Sequence, residues 1–546
     1  MLRLLCFSLL LCLLGAEPLT LDFLKSKPAG IARDFYIWMF LKEADTTTQE
    51  AKSAYQLVTY KSAAIQEAMR AKNALGMDIT NLCTSLSLQE LVLKDSQCIA
   101  LGLTLSKVFA SVKRASERPL LQRMQNQLLK DYPKLSASIG ILLHHDIPQA
   151  LFASSVTTLV YLYNALPYKQ RLQLLDHSIE PKLLESFINQ NNPKLNQIIQ
   201  RIIVDARFLH FKKSLAKANI TNTDDKTFFL LGINALVEKQ EDRALDYFKR
   251  TAYQASTPFL KDKALFWQYL ITQDRAILES LSESNNPNLF SLYANFNLHK
   301  TPPYQLVTTL QARHKKPPFD ITDPFAWQLF RDQTLALKDE NVRAKRLESL
   351  KTPQTLPHLA YFLSRYNKQK HYFLAPYEHI ITWSSLPEKA LAYAIARQES
   401  LLLPALISRS YALGLMQIMP FNVPHFAQQM GVGPTKLTDM FNPKIALPFG
   451  NYYLNYLKAE FEHPLFVAYS YNAGPGFFKR LLTQRHFFRP GKFEPWLSME
   501  LVPYEETRIY GQKVMANYII YQRIFAPHAK PMDINAFFND TLKSRR

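Results

Sequence analysis

The chain has 546 residues, 47% of them hydrophobic, which is longer than one domain normally is. This composition excludes a disordered protein and predicts at least two packed cores. Lys and Arg outnumber Asp and Glu by 65 to 45, a formal net charge of +20. This surplus favours polyanionic partners, but the charges are scattered without a polybasic block, so a merely solvated basic surface is the alternative.

The first predicted element is an export signal in residues 1–16. The basic Arg3 precedes an apolar run from Leu4 to Leu14, and the segment closes with Leu14-Gly15-Ala16. The run is too short to span a bilayer, so we expect cleavage after Ala16 and an exported mature protein. An amino-terminal membrane anchor is the alternative.

Cys6 and Cys12 would leave with this signal, so Cys83 and Cys98 remain. In an oxidising compartment a disulfide between them would close a loop of about 15 residues and stabilise the fold by roughly 3 kcal/mol. Two buried free thiols are the alternative. Because the sequence has no CxxC pair and no histidines at ligand spacing, we expect neither a metal site nor a cofactor.

Residues 20–300 are predicted to form helices joined by short turns, because they are rich in Leu, Ala, Lys and Gln and are cut by single prolines. One stretch, LGINALVEKQEDRALDYFKRTAYQASTP, is spaced like a tetratricopeptide-type helical hairpin. The positions that match are Leu231, Gly232, Ala235, Ala244 and Phe248, with Pro258 closing the hairpin. This favours a stacked array of helix pairs with an extended curved surface.

Prolines then cluster in KTPPYQLV, from Lys300, and in KKPPFDITDP, from Lys315, which indicates a boundary and a helical connecting region to about residue 375. The composition changes further on, since eight of the 14 glycines lie between Gly414 and Gly511. Turn-rich segments that alternate with helices are typical of loops that carry function on a rigid scaffold.

Within this last region, Glu399 lies on the apolar face of a predicted helix that starts near Glu388. The residues that share its face by helical spacing are Leu391, Ala392, Ile395 and Ala396. Burial and the nearby helix C-terminus both penalise the anion, so we expect a raised pKa and a role as general acid. A buried Glu with only a local hydrogen bond, or a helix that ends earlier and leaves Glu399 exposed, are the alternatives.

The other charged residues of this helix are Glu388, Lys389 and Arg397. Helical spacing places them on other faces, where we expect ordinary solvated side chains.

Four motifs occur in a fixed order in this region: RQES, ending at Ser400, then GLMQIMP, YNAGPG and ELVPYEETRIY. Together they resemble the catalytic domain of the family 1 soluble lytic transglycosylases, relatives of goose-type lysozyme. The resemblance covers about residues 385–525 and is weaker upstream, where that family has a ring-shaped superhelix and a helical linker. It implies an all-α chain with four parts: signal peptide 1–16, α-superhelical domain 17–300 (ring- or horseshoe-like), helical linker 301–375, and lysozyme-like, mostly α catalytic domain 376–546.

The resemblance also implies a role for each matching residue. Glu399 would be the single catalytic acid and base, with Ser400 beside it at the substrate. Glu500 would be a second cleft carboxylate that positions substrate and water and is not a nucleophile. The other implied substrate contacts are Met416 and Gln417, which would line the sugar cleft, and Tyr471, Asn472 and Ala473, which would form its wall.

Three positions depart from the family pattern. Tyr411 and Leu413 are bulky where small residues are usual before GLMQ, so they are expected to change the shape of the cleft. Ser470 replaces the common alanine before YNAG.

The implied reaction cuts the β-1,4 bond between N-acetylmuramic acid and N-acetylglucosamine in peptidoglycan and leaves a 1,6-anhydromuramic acid end, without cofactor. One carboxylate suffices because the substrate supplies its own nucleophile, the C6 hydroxyl. The expected protein is a periplasmic monomer whose partners are peptidoglycan glycan strands, with other wall-synthesis or wall-degrading proteins as further candidates, and no nucleic acid. A hydrolytic muramidase and a non-catalytic wall-binding scaffold are the alternatives.

Overall fold

A computed structural model of the chain describes residues 19–74 and 79–543. The predicted signal peptide, with its cleavage site at Ala16, lies outside the described residues. The chain forms two compact units. The first unit comprises residues 19–74, 312–356 and 403–446, and the second comprises 79–311, 357–402 and 447–543. The predicted domain boundaries after residues 300 and 375 stay a prediction.

The first part of the chain is a succession of short helices. In chain order they are α1 (Leu21–Ser26), α2 (Ile31–Lys42), α3 (Thr48–Gln56), α4 (Ala63–Ala71), α5 (Ile79–Ser85), α6 (Leu88–Leu91), α7 (Ser96–Gly102), α8 (Leu105–Ser111), α9 (Arg118–Leu128), α10 (Pro133–Leu143), α11 (Ile147–Phe152), α12 (Val156–Ala165), α13 (Tyr168–Leu175), α14 (Pro181–Ile188), α15 (Pro193–Val204), α16 (His210–Lys217), α17 (Asp225–Val237), α18 (Glu241–Gln254), α19 (Pro258–Thr272), α20 (Arg275–Ser282) and α21 (Leu289–Leu298).

Two short strands interrupt the helices of the remaining part. Its elements are β1 (Gln305–Val307), α22 (Pro324–Ala336), α23 (Glu340–Glu348), α24 (Leu356–Tyr366), β2 (Lys370–Tyr372), α25 (Leu386–Ser400), α26 (Asn422–Gln429), α27 (Pro443–Phe461), α28 (Pro464–Ala473), α29 (Pro475–Leu482), α30 (Trp496–Glu500), α31 (Glu505–Phe525) and α32 (Ile534–Asn539), with 3₁₀ helices at Glu378–Ile380, Leu437–Phe441 and Asp540–Leu542.

The all-α prediction is confirmed, because β1 and β2 are the only strands in the described part of the chain. They pair in parallel, with Gln305 opposite Lys370 and Val307 opposite Tyr372, and the sequence did not predict them. The ring or horseshoe shape stays a prediction. Across residues 19–74 and 79–543, no helix is both long enough and apolar enough to cross a bilayer.

Prolines start many of these helices, which agrees with the sequence pattern. They occupy the first or second position of α9, α10, α11, α14, α15, α19, α22, α25, α28 and α29. Proline suits this position because its fixed φ is helical and its missing N–H would have had no intrahelical partner.

The predicted hairpin is formed by α17 and α18 and is confirmed. Gly232 brings the two helices close together, because a Cβ atom at this position would lie 2.6 Å from Cε1 of Phe248. Ala235, Ala244 and Phe248 are fully buried at this contact. Pro258 ends the hairpin by starting α19.

In the first unit, Tyr411 belongs to an aromatic core. Its ring lies 5.8 Å from that of Phe35 and 5.4 Å from that of Trp38, and its hydroxyl lies 3.2 Å from Oγ of Ser62. Leu413 is completely buried, and its backbone bridges Ile407 and Ile418. Both bulky residues therefore fill the interior of this unit.

In the second unit, a disulfide joins Cys83 of α5 to Cys98 of α7, with their Cα atoms 5.4 Å apart. Gly102 lies at the same contact, where an added Cβ would be 2.3 Å from the carbonyl oxygen of Cys83. The bond therefore links two helices that already pack closely.

Candidate active site

Glu399 is the penultimate residue of α25, the helix predicted around it. Ser385 caps the helix by accepting a hydrogen bond from the backbone N–H of Glu388, and Pro387 lies in its first turn. The predicted apolar face is the buried one: Leu391 is 2% exposed, and Ala392, Ile395 and Ala396 are fully buried. Glu399 continues this face and keeps part of its surface exposed, so its carboxyl group sits at the edge of the core.

In the described part of the chain, the carboxyl of Glu399 has one hydroxyl partner and no cationic partner. Tyr510 of α31 donates a hydrogen bond of 2.6 Å to Oε1. Burial raises the pKa of Glu399 to about 7, the negative charge of Glu506 adds to this effect, and the bond from Tyr510 opposes it. Within the described residues no Lys, Arg or His forms an ion pair with Glu399, so nothing fixes the group as an anion. The group can therefore exist in both protonation states near neutral pH.

Tyr471 lies beside this pair. Burial raises the pKa values of both Tyr471 and Tyr510 well above the ordinary range, and the charge of Glu399 adds to each shift. The ring of Tyr471 packs 5.2 Å from that of Tyr453 on α27. Both hydroxyls thus stay protonated and remain hydrogen-bond donors.

Tyr510 and Glu506 had no role assigned from the sequence. They are four residues apart in α31, so helical spacing alone places them on one face. In the structure this face of α31 lies against Glu399. The motif that contains both residues does not by itself show which helix they would contact.

Asn472 connects the predicted wall of the cleft to α31. Its Oδ1 accepts a hydrogen bond of 2.7 Å from Thr507, and its Nδ2 lies 3.5 Å from Oε1 of Glu506. Glu506 is exposed at the start of α31. The second carboxylate that acts electrostatically on Glu399 is thus Glu506.

Glu500 forms a buried ion pair. It is 1% exposed, its Oε2 lies 2.6 Å from Nζ of Lys263 on α19, and its Oε1 accepts a hydrogen bond of 2.9 Å from Gln512. Lys263 is equally enclosed, with its ammonium group 4.5 Å from the centre of the Phe229 ring. This buried ion pair connects the helical array to α30 and α31 within the second unit.

Gly511 determines how closely α31 approaches α28. A Cβ atom at this position would lie 2.2 Å from Cε1 of Tyr469, a fully buried residue of α28. Because Gly511 follows Tyr510 directly, this close packing also fixes the backbone from which the Tyr510 hydroxyl reaches Glu399.

The other charged residues of α25 differ from the prediction of solvated faces. Glu388 is only 4% exposed, because Asn451 and Asn455 of α27 cover it and donate bonds of 3.1 and 3.4 Å to its Oε1. Arg397 is half-buried, with its guanidinium 3.9 Å from the centre of the Phe373 ring. Helical spacing does not predict this burial, because the residues that bury Glu388 and Arg397 come from other segments of the chain.

The remaining predicted residues fall into two groups. Ser400 is buried, and its hydroxyl donates 3.1 Å back to the carbonyl of Ala396. Met416 and Gln417 belong to the first unit, where Met416 is fully buried and Nε2 of Gln417 donates 2.8 Å to the carbonyl of Gly414. Their contact with a sugar stays a prediction.

A groove of about 1530 Å³ in the second unit reaches Asn472, Ala473 and Glu506, although Glu399 is not part of its lining. Aromatic rings in its walls include Tyr163, Tyr168, Phe477, Phe487 and Tyr504. Its lining also contains six cationic and four anionic side chains. The cationic ones are Arg171, Arg201, Arg207, Lys226, Arg480 and Arg508, and the anionic ones are Asp205, Asp224, Glu505 and Glu506.

Several of these charges pair with each other, such as Arg207 with Asp205 and Lys226 with Glu505. Arg201 and Arg480 are exposed and form no ion pair in the described part of the chain. The groove therefore offers cationic groups and flat rings, and Glu506 is among its lining residues.

Comparison with known proteins finds similarity in the region around Glu399. Residues 381–491 match the family model of the transglycosylase SLT domain. The soluble lytic murein transglycosylase of Escherichia coli K12 is 34% identical over 139 residues, or 25% of this chain and 21% of the relative. That of Salmonella typhimurium LT2 is 34% identical over 142 residues, again 25% and 21%. The chain thus matches about a fifth of the length of these curated relatives.

Two solved structures align over most of the chain. An inactive mutant of the lytic transglycosylase Slt from Pseudomonas aeruginosa is 15% identical, with 93% of this chain and 84% of that chain covered and a TM-score of 0.45. A 70-kDa soluble lytic transglycosylase in complex with bulgecin A is 16% identical, with 94% and 83% covered and a TM-score of 0.45. The sequence match thus makes residues 381–491, the region that contains Glu399, similar to the transglycosylase SLT domain.

Proposed function

We propose that this protein is a lytic transglycosylase that cleaves the β-1,4 bond between N-acetylmuramic acid and N-acetylglucosamine in peptidoglycan and leaves a 1,6-anhydromuramic acid end. The observation that carries the proposal is the Glu399 carboxyl, whose pKa burial raises to about 7 and which Tyr510 holds by a hydrogen bond. The SLT-domain match around Glu399 supports it.

In the first step Glu399 acts as general acid. With a pKa of about 7, a large fraction of the group is protonated at neutral pH, as an acid catalyst requires. Its proton goes to the glycosidic oxygen as the bond from that oxygen to C1 of muramic acid breaks. The N-acetyl group of the same sugar supports the positive charge that develops at C1.

In the second step the Glu399 carboxylate acts as general base. It takes the proton of the muramyl C6 hydroxyl while the C6 oxygen attacks C1 and closes the anhydro ring, which restores the protonated acid. Tyr510 stabilises the intermediate carboxylate through its bond to Oε1. Because the attack is intramolecular, its effective molarity is on the order of 10⁵ M or more, and no second carboxylate is needed as nucleophile.

Substrate contacts are assigned on the same basis. Tyr471, Asn472 and Ala473 form one wall, as the motifs predict, and Ser400, Met416 and Gln417 keep their predicted roles in sugar binding. The second cleft carboxylate, however, is assigned to Glu506, because Glu500 is buried against Lys263. The groove lined in part by Glu506 would hold the glycan strand by stacking on its rings and by attraction between its cations and stem-peptide carboxylates.

This function places the mature protein in the periplasm, where its partner would be the glycan strands of the wall. A monomer is sufficient, because Glu399, Tyr471, Tyr510 and Glu506 all come from one chain. Other wall-synthesis or wall-degrading proteins are further candidate partners.

A hydrolytic muramidase is the second candidate, and the proximity of Glu506 to Glu399 favours it. An exposed carboxylate beside the acid could orient a water molecule that attacks C1 in place of the C6 hydroxyl. The product would then have a reducing end.

The deciding experiment is mass spectrometry of the soluble products released from purified sacculi by the mature chain. Anhydromuramic ends are expected, and Glu506→Gln should keep them with a changed rate. Products one water heavier, lost in Glu506→Gln, would establish the muramidase instead. Glu399→Gln is the control: if it released as much product as the wild type, both enzymatic readings would fail and a wall-binding scaffold would remain.

Binding is tested separately with the full-length Glu399→Gln variant, which is expected to bind the wall without cutting it. Its co-sedimentation with sacculi should weaken steeply as salt increases, and further when Arg201 and Arg480 are both replaced by Gln. Binding that does not change with salt would contradict the electrostatic role of the groove.

A further inference from the structure

A second pocket, of about 410 Å³, lies in the second unit and shares no lining residue with the groove. Its walls come from the end of α25, from α24, from β2 and from the loop at residues 284–286. We name it the Arg397 pocket. Neither the proposed reaction nor the groove uses it.

The main polar feature of the pocket is the guanidinium of Arg397. Its Nε donates 3.3 Å to the carbonyl oxygen of Tyr372, and one face packs on the ring of Phe373. Within residues 19–74 and 79–543 it has no carboxylate partner and no second acceptor. Burial lowers the pKa of Arg397, which is half-buried in the pocket wall. A bound anion would give its free N–H groups a charged hydrogen-bond partner.

The surrounding charges have the same sign. Lys368, Lys370 and His371 line the pocket together with Arg397, and the lining contains no Asp or Glu. His371 is bonded to the carbonyl of Asn285, and burial lowers its pKa, so it contributes a neutral ring. Asp262, which is not in the lining, accepts hydrogen bonds from Ser284 and Asn288. The lining of the pocket thus carries positive charge that no carboxylate of the lining balances.

Other lining residues of the pocket are apolar. They include Leu374, Leu401 and Ala360, together with the ring of Tyr361. A volume of about 410 Å³ is in the range of small-molecule sites. A guanidinium binds a carboxylate with two parallel hydrogen bonds, a geometry that lysine or histidine cannot supply.

We infer that the Arg397 pocket binds a small carboxylate with an apolar body, its carboxylate on the Arg397 guanidinium and its body against Leu374 and Leu401. Both a free organic acid and the C-terminus of a short peptide have this chemistry. Lys368 and Lys370 would attract either ligand from the rim of the pocket.

Isothermal titration calorimetry of the full-length protein tests this inference with acetate, N-acetyl-leucine and the dipeptide N-acetyl-alanyl-leucine as probes. The two leucine compounds should bind more tightly than acetate because they fill the apolar walls. Tighter binding of the dipeptide would identify a peptide terminus as the source, and tighter binding of N-acetyl-leucine a free acid. N-acetyl-leucinamide, which lacks the carboxylate, should not bind.

Arg397→Gln should weaken binding of these probes about tenfold or more, since it removes the paired charge. Replacing Lys368 and Lys370 by Gln leaves the buried residues intact and should weaken binding a few-fold, through lost attraction. The matched control replaces the exposed Lys130 and Lys134, which lie outside the pocket, and should change nothing.

Circular dichroism would establish that each variant is folded. The inference is overturned if none of the carboxylates binds, if the amide binds as well as the acid, or if folded Arg397→Gln and the double lysine variant both bind like the wild type.

Discussion

The two ends of α25 carry buried glutamates with opposite properties. Near its start, Glu388 is enclosed, and burial acts to raise its pKa, but donors from Ser384, Asn451 and Asn455 and the charge of Lys458 outweigh it and lower the pKa. At its end, burial raises the pKa of Glu399 to about 7, and Tyr510 is the one donor that opposes the shift. The helix dipole acts in the same directions, because it favours an anion at the N-terminus and disfavours one at the C-terminus.

Burial alone therefore does not make a catalytic acid. The number of donors around the carboxyl decides whether an enclosed glutamate stays an anion or keeps its proton. Glu388 has enough donors to remain a structural anion, whereas Glu399 is left with a proton that it can give away.

The largest effect is expected at a third carboxylate, that of Glu500, which differs from the other two because it forms an ion pair with Lys263. Lys263→Met should lower the free energy of unfolding by about 3–5 kcal/mol, because it leaves a buried charge unpaired. Replacing Glu500 by Leu in the same chain should restore much of the loss. Urea denaturation measures both.

The matched control is Lys226→Met, which breaks the exposed ion pair with Glu505. Its cost should stay below about 1 kcal/mol. Equal losses for the two lysines would show that burial of the Lys263 pair has no energetic weight.

The second prediction concerns the dependence of stability on pH. The native pKa of Glu399 lies above the ordinary value of 4.5, so the wild type loses stability as pH rises through about 7. Relative to the wild type, Glu399→Gln should therefore gain up to about 3 kcal/mol in free energy of unfolding between about pH 5 and pH 8.

Glu388→Gln should show the opposite trend. The native pKa of Glu388 is lowered, so its stabilising effect is present above the ordinary pKa and is lost as pH falls through the native value. The variant should be less stable than the wild type at neutral pH, by an amount that shrinks in acid. The free energy of unfolding of each variant, measured by denaturation at several pH values, checks both trends. The same change with pH for both variants, relative to the wild type, would contradict the contrast between Glu388 and Glu399.

The third prediction tests the placement of Tyr510. Gly511→Ala should cost about 1–3 kcal/mol of stability, because the added methyl group overlaps Tyr469. Wall clearing should also fall about tenfold or more, because the overlap shifts the backbone of α31 that carries both Glu506 and Tyr510. The control is Gly476→Ala in α29, where the new Cβ would lie 3.5 Å from the side chain of Arg480, an ordinary contact distance. Neither loss is expected for this variant. Unchanged activity in Gly511→Ala would remove Tyr510 from the site.

The smallest effect is expected for Tyr510→Phe. Without its bond to Oε1, the pKa of Glu399 should rise further, by about half a unit to one unit. The alkaline limb of the activity profile against pH should then move upward by the same amount. Tyr504→Phe, a change at an exposed ring of the groove, should leave that limb in place.

The sequence was sufficient for features that depend on local spacing. The 3.6-residue period placed Glu399 on the apolar face of α25, and the structure has that face buried. The hairpin of α17 and α18 could be predicted for the same reason. Counting left only Cys83 and Cys98 once the predicted signal is removed, with a disulfide or two free thiols as the alternatives, and the structure has the disulfide.

Features made by distant segments could not be predicted in this way. Tyr510 is 111 residues from Glu399, and Asn451 is 63 residues from Glu388. A single sequence gives the face of each helix but not which helix packs against it. For this reason Glu388 was expected in solvent and Glu500 was expected in the cleft, although Lys263 holds Glu500 in the interior.

The contact between Gly511 and Tyr469 also has a consequence for the history of the protein. Alanine is about 1 kcal/mol more favourable than glycine inside a helix, so drift alone would tend to replace Gly511. The ring of Tyr469 blocks that replacement at 2.2 Å. Positions 469 and 511 should therefore change together among related chains, with a side chain at 511 only where 469 has become small.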